Sequence, residues 1–312
     1  MNKLLMVLAF SAVLFAGCSD DEVIKGMKYD NYPVINSTAS CRNLNMIIAA
    51  KLLNEPYNWA VMQLDEWSVA FSDVPDVKIL KYQKFLDEKL KTSSTHDTFM
   101  HLIDGEADIV LTHRTISPEE QEYALAKGVR LTEIAVANDA LDIIVNPVNP
   151  VKNLTMEQLR KIYRREITNW KDVEGNDAEI DVYARPRDSD CGELMRQLVI
   201  ADPAADIPEV ALGIEPFAFH EIYGDPNAIS YTLNSYKTVT VRYDDTKVPK
   251  IAINGVFPDD TAIGNGVYPF AAKVYIAIRN DIDPNSMAYR VFQWLQTDDA
   301  KSAYQECGFV VN

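Results

Sequence analysis

Arg185 and Arg187 stand directly before Ser189 in "VYARPRDSDCGELMRQLVI" (Val182 to Ile200), in a chain of 312 residues with a formal net charge of -16. A guanidinium and a hydroxyl at the apparent mouth of a helix can bind an anion. The planar fork of Arg185 suits two oxygens of one tetrahedral group, and Arg187 offsets Asp188 and Asp190. Two further stretches repeat the pattern. "INSTASCRNL" sets Ser37, Thr38, Ala39 and Ser40 before the apolar "NMIIAAKLL", and "KTSSTHDTF" sets Ser93, Ser94 and Thr95 before "HDTFMHLI". Free backbone N–H groups at the positive end of a helix dipole, joined by hydroxyls, let a molecule without net positive charge hold an oxyanion. Ser and Thr are also the ordinary N-caps of any helix, so capping alone accounts for each turn taken singly.

The elements that must position these turns alternate along the chain. "NLNMIIAAKLL", "VKILKY", "HDTFMHLIDG", "ADIVLT", "SPEEQEYALAKG", "RLTEIAVA" and "LDIIVN" interleave helical with strand-like patterns, which predicts an α/β fold. Ser117 caps a helix with Pro118 in its first turn, Glu119 and Glu120 as a solvated pair favoured by the dipole, and Gly128 at its end. Thr155 caps another, with Gln158 at the capping-box position and an apolar stripe of Leu159, Ile162 and Tyr163. Residues 141–247 carry their own strand and helix signals and read as an inserted lobe between 28–140 and a return over 248–312 with C-terminal helices. Asn146 and Pro147 stand at the expected crossing, and a cleft between hinged lobes follows from such a path. Trp170 and Tyr268-Pro269 read as core and hinge filling.

Composition narrows the functions. With 47% hydrophobic and 24% charged residues the chain is ordinary for a globular protein, and its acidic excess opposes nucleic acid or an anionic membrane surface as partner. The four cysteines have no zinc-type spacing, the four histidines form no H-E-x-x-H, and no serine sits in a nucleophile elbow. No metal, cofactor or catalytic residue is therefore expected, although a Cys41/His113 nucleophile pair is conceivable.

Residues 1–17 read as a secretory signal peptide: basic "MNK", apolar "LLMVLAFSAVLF", then "AGC". The run is too short to span a bilayer. Its end resembles the lipobox of bacterial lipoproteins, which implies that Cys18 is acylated and that 18–27 form a tether anchoring the protein to the cell envelope. "SDDE" resembles the acidic export tag of surface lipoproteins.

From Leu102 to Asn312 the chain resembles the PstS-like phosphate-binding proteins of bacterial phosphate ABC importers, members of the two-lobed periplasmic binding-protein superfamily. The segments are "LIDGEADIVLTHRTISPEEQEYA", "VNPVNPVKNLTMEQLRKIYRREITNWKDV", "ARPRDSDCGEL", "NGVFP", "NGVYPF" and "CGFVV". The resemblance implies a type II fold with mixed sheets flanked by helices and a ligand cleft at the hinge. It implies oxyanion ligands at Arg185, Ser189, Asp190 and Cys191 from the second lobe. From the first it implies Thr38, Ala39, Ser40, Ser94, Thr95, Thr112 and His113. It also places Cys41 and Cys191 on facing loops, where they either form a clamp or stay free, with Cys307 as the other possible partner.

Departures accompany the match. The family's glycine-bearing "GSGT" becomes Asp188-Ser189-Asp190-Cys191, which brings two carboxylates toward the expected anion and places β-carbons where the backbone should approach it. His113 stands where many members have an Asp, exchanging an acceptor for a donor; it reads equally as a packing histidine. The expected function is a monomeric, non-enzymatic, lipid-anchored receptor outside the cytoplasm that delivers inorganic phosphate or a related oxyanion to an ABC permease. The alternatives are a different small ligand, or a degenerate site in a surface scaffold or sensor.

Overall fold

The computed structural model describes residues 23–62, 66–72, 79–202, 207, 210–211 and 215–312. The expected signal segment, Cys18 and the start of the tether lie outside the described residues. Among the described residues no helix is long and apolar enough to cross a membrane.

The chain opens with β1 (Ile35–Ser37), α1 (Arg42–Leu53) and a hairpin of β2 (Tyr57–Val61) and β3 (Trp67–Phe71). Then come α2 (Ile79–Lys89), β4 (Leu90–Thr92), α3 (Thr95–Asp104), β5 (Ile109–Thr112), α4 (Pro118–Ala126) and the long β6 (Leu131–Val145). The middle holds β7 (Asn153–Leu154), α5 (Met156–Tyr163), β8 (Asp181–Ala184), α6 (Asp190–Leu194), β9 (Val210–Ala211), α7 (Glu215–Gly224) and β10 (Ala228–Leu233). The end consists of β11 (Ala252–Ile253), α8 (Asp260–Gly264), β12 (Ala271–Arg279), α9 (Met287–Trp294) and α10 (Asp298–Glu306).

Local chemistry fixes these boundaries. Ser117 and Glu120 form a reciprocal capping box with Pro118 at N1 of α4, and Thr155 and Gln158 do the same for α5. Gly128 follows α4 with φ +71°, a left-handed conformation that closes the turn at no steric cost. Every residue of β5 is buried, as expected for a strand covered on both faces.

One mixed sheet runs in the order β4-β1-β5-β12-β6-β10-β8-β9. β4, β1 and β5 are parallel, and β12 lies antiparallel between β5 and β6. β6 pairs with β12 from Leu131 to Ala140 and with β10 from Leu141 to Val145. Two cores flank this strand. The first gathers Ile35, Leu44, Ile109, Val274, Phe292 and Tyr304. The second gathers Leu141, Leu159, Trp170, Tyr231, Tyr268 and Phe270.

β6 runs from one core into the other. Ala137 belongs to the first core and Ala140 to the second, so β6 passes over at Asn138-Asp139, and Asn146 lies beyond the crossing inside the second core region. The segment expected to return at residue 248 packs in the second core through Val248, Ile251, Ile253 and Ile263, and the first core resumes at Val274. The polar pair Asn138-Asp139 splits "LTEIAVANDALDIIV" into two apparent strands in the sequence. Continuous pairing makes it one.

Candidate functional site

The three hydroxyl-bearing turns meet. A cavity of about 500 Å³ between the two cores is lined by Thr38, Ala39 and Ser40 before α1, by Ser94 and Thr95 at the start of α3, and by Arg185, Ser189, Asp190 and Cys191 at the β8–α6 turn. Thr112 and His113, expected as ligands, do not line it. Thr112 is fully buried and its hydroxyl donates to the carbonyl of Arg114 at 2.7 Å. His113 sits just behind the wall, 3% exposed.

The expected donors are already in use. Ser94 Oγ caps α3 by accepting from Asp97 N and donates to Asp97 Oδ2 at 2.9 Å. Ser189 Oγ caps α6 by accepting from Gly192 N and donates to the Pro186 carbonyl at 2.7 Å. Gly192 has to be glycine, because a β-carbon there would lie 2.1 Å from that same carbonyl oxygen. The hydroxyl of Ser40 donates to Asp190 Oδ2, and that of Thr95 donates to Asp190 Oδ1 at 3.2 Å. Asp190 is 8% exposed and reaches from the second core to the first. Its carboxylate occupies the position in which an oxyanion would receive these two hydroxyls.

Behind Ser40 a buried relay continues. His113 Nδ1 lies 3.1 Å from Ser40 Oγ, 3.7 Å from Cys41 Sγ and 3.9 Å from Asp190 Oδ2, and its Nε2 lies 3.1 Å from Asp139 Oδ2. Asp139 also accepts from the hydroxyl of Ser235 at 2.6 Å and from its N–H at 3.1 Å, which ties the crossing strand to the end of β10. Burial opposes a charge on His113, but the Cys41 sulfur, Asp139 and Asp190 outweigh it and push the imidazole well above its ordinary pKa. The imidazolium then donates from both nitrogens. Cys41, Cys191 and Cys307 are free thiols and all buried. Among the described residues no group of three His, Cys, Asp or Glu side chains could hold a metal ion.

Arg185 is 0% exposed, yet it borders the cavity, and its backbone N–H donates to Tyr231 Oη at 2.9 Å. A second ionic link joins the cores beside the cavity. Arg114 donates to Glu193 at 2.8 Å and, through two nitrogens, to Glu120 at 2.8 and 2.9 Å. Glu120, expected to be solvated alongside Glu119, is instead 1% exposed. Burial works against its charge, but Arg114 and the Ser117 N–H prevail and hold its carboxyl below the usual range. Asp139, Ser235, Tyr236 and Leu233 took no part in the sequence-based site. A strand-interior Asp is the one signal they offered, since an acid seldom occupies such a position without a partner.

Two cores joined by crossing strands, with a cleft between them walled by loops from both, define the bilobal solute-receptor class. The chain belongs to the PBP superfamily: that domain matches residues 58–299. It is 27% identical over 267 residues to Protein SphX of Synechococcus elongatus, covering 80% of this chain and 77% of that one. It is 28% identical over 210 residues to the phosphate-binding protein PstS of Bacillus subtilis, covering 66% and 65%. Its fold superposes on an ABC-type phosphate transport receptor from Vibrio cholerae with a TM-score of 0.65 at 21% identity, covering 89% of this chain and 100% of that one. For a phosphate-bound transporter substrate-binding protein from Clostridium perfringens the TM-score is 0.62 at 19% identity, covering 89% and 99%. The two-lobed fold with mixed sheets and a cleft at the hinge is therefore that of this chain.

Proposed function

We propose that the protein is a receptor outside the cytoplasm that binds phosphate or a related oxyanion between its lobes and presents it to an ABC permease. The observation that carries this reading is the convergence of three separate hydroxyl-bearing turns and the buried Arg185 on one cavity. The relatives named above, phosphate-binding proteins among them, support it. The lobes divide at Asn138-Asp139 on β6 and before Val274 on β12. Acylation of Cys18 would keep a monomeric receptor at the membrane without a spanning helix. Binding rather than catalysis fits the placement of Cys41 and His113, which lie behind the cavity wall.

Calorimetric titration of the purified, phosphate-depleted protein with phosphate, sulfate and arsenate tests the reading. Heat with phosphate that disappears in Arg185→Ala is expected. Silence toward all three anions would overturn it. A second reading, a scaffold or sensor with a self-filled site, is favoured by one observation: Asp190 already holds the hydroxyls of Ser40 and Thr95. Asp190→Gly separates the two, because a receptor gains affinity from it and a scaffold stays silent.

A further inference from the structure

The cavity is larger and more acidic than a simple anion trap requires. At about 500 Å³ it falls among sites that enclose whole organic ligands, roughly 300–1,000 Å³. A tetrahedral oxyanion is a single compact group and leaves most of that space unfilled. The charges on the wall point the same way. Arg185 is the one guanidinium lining it among the described residues, and Glu66, Asp188 and Asp190 bring three carboxylates. Asp190 is at the inner wall, fixed by Ser40 and Thr95, while Asp188 is exposed two positions earlier in the same turn. Leu233 and Tyr236 add an apolar surface. A bare dianion in this space would meet Glu66 and Asp188 as well as Arg185, with the His113 imidazolium offsetting Asp190 from behind the wall, whereas an uncharged solute would make no use of the guanidinium.

We propose that the cleft recognises a zwitterion, a phosphate monoester or phosphonate that carries a primary ammonium on a short alkyl chain. Its oxyanion faces Arg185, its methylenes pass Leu233 and Tyr236, and its ammonium faces Asp190 and Asp188. An ammonium has three donors and no acceptor, which suits a carboxylate whose oxygens each hold one hydroxyl and keep lone pairs in reserve. Asp190 thereby acquires a role beyond filling the seat, because it biases a site for tetrahedral anions toward those that carry a positive charge in the same molecule. The assignment rests on the oxyanion-receptor reading and specifies its ligand class.

The test is calorimetry with three probes: 2-aminoethylphosphonate, ethylphosphonate and orthophosphate. The amino compound is expected to bind at least tenfold more tightly than ethylphosphonate, and Asp188→Asn, an exposed substitution, is expected to reduce that ratio at least threefold. Asp190→Asn is expected to reduce it further. Equal binding of the two phosphonates, or a ratio that neither variant moves, overturns the zwitterion assignment. In that event orthophosphate binding that is lost in Arg185→Ala leaves the oxyanion receptor standing. No heat with any of the three overturns both.

Discussion

Asp190 lines the cleft and joins its two walls. Its side chain receives the hydroxyls of Ser40 and Thr95, so an oxyanion bound as proposed would compete with it for those two donors. Asp190→Gly removes that competitor, and orthophosphate affinity should rise by at least tenfold, about 1.4 kcal/mol, in a calorimetric titration. An unchanged constant would mean that the seat plays no part in binding. Gly192 acts on the same turn from its other side. A β-carbon 2.1 Å from the Pro186 carbonyl cannot be relieved by a rotamer change, so Gly192→Ala should cost about 1–3 kcal/mol in denaturant unfolding. Arg185 and the serine and threonine turns were legible in the sequence, because helix mouths announce themselves through N-cap residues and the apolar run behind them. The direction of the Asp190 side chain was not, since it is set by Ser40 and Thr95, which lie far away in sequence. His113 was legible as an unusual residue but not as one behind the wall, for the same reason.

β6 is the element on which the two halves depend. It carries Asp139 at the crossing and Asp142 just past it, both fully buried. Asp139→Ala would leave His113 without its Nε2 partner and free the Ser235 N–H and hydroxyl, and should cost about 3–5 kcal/mol in thermal or chemical unfolding. Among the described residues Asp142 has no hydrogen-bond partner at either oxygen; burial pushes its carboxyl up from 3.8 to about 8, against the pull of Lys250 at 3.7 Å. His113 and Asp142 both hold protons more tightly folded than unfolded. Their stabilisation is complete below their ordinary pKa values and is lost as pH climbs through the folded ones. For Asp142 that window runs from 3.8 to about 8, and for His113 it opens at 6.5 and extends well above. The melting temperature should therefore fall between pH about 5 and about 9, and Asp142→Asn should flatten the decline and add on the order of 2 kcal/mol at pH about 8. A melting temperature that rises with pH over this range would refute the assignment. The capped helices α4 and α5 could be read from sequence because their caps are local. β6 could not be read as one strand, because the acid and amide at its middle are tolerated only through tertiary partners.

At the scale of the molecule, the protein's own side chains link the two walls of the cleft. Asp190 and the Glu120–Arg114–Glu193 chain both span the cleft. Glu193→Gln should weaken the second link by about 1.5 kcal/mol and shift the ligand-free population roughly tenfold toward the open form, seen as a larger radius of gyration in small-angle scattering. No change in the ligand-free profile would show that the link does not govern closure. The two-lobed plan was legible as a pattern of alternating elements, whereas the core that residues 248–272 join was not, because they resemble strand and helix signals found in either half. The proposed borders have a consequence for how the molecule can be divided. Ala140 and Ala271 are register partners on β6 and β12, so a second lobe bounded as proposed would leave and rejoin its host at neighbouring points on adjacent strands. Such a unit has the layout of an inserted guest: cut at those positions it would begin and finish side by side, and a short turn could splice the host closed across the gap.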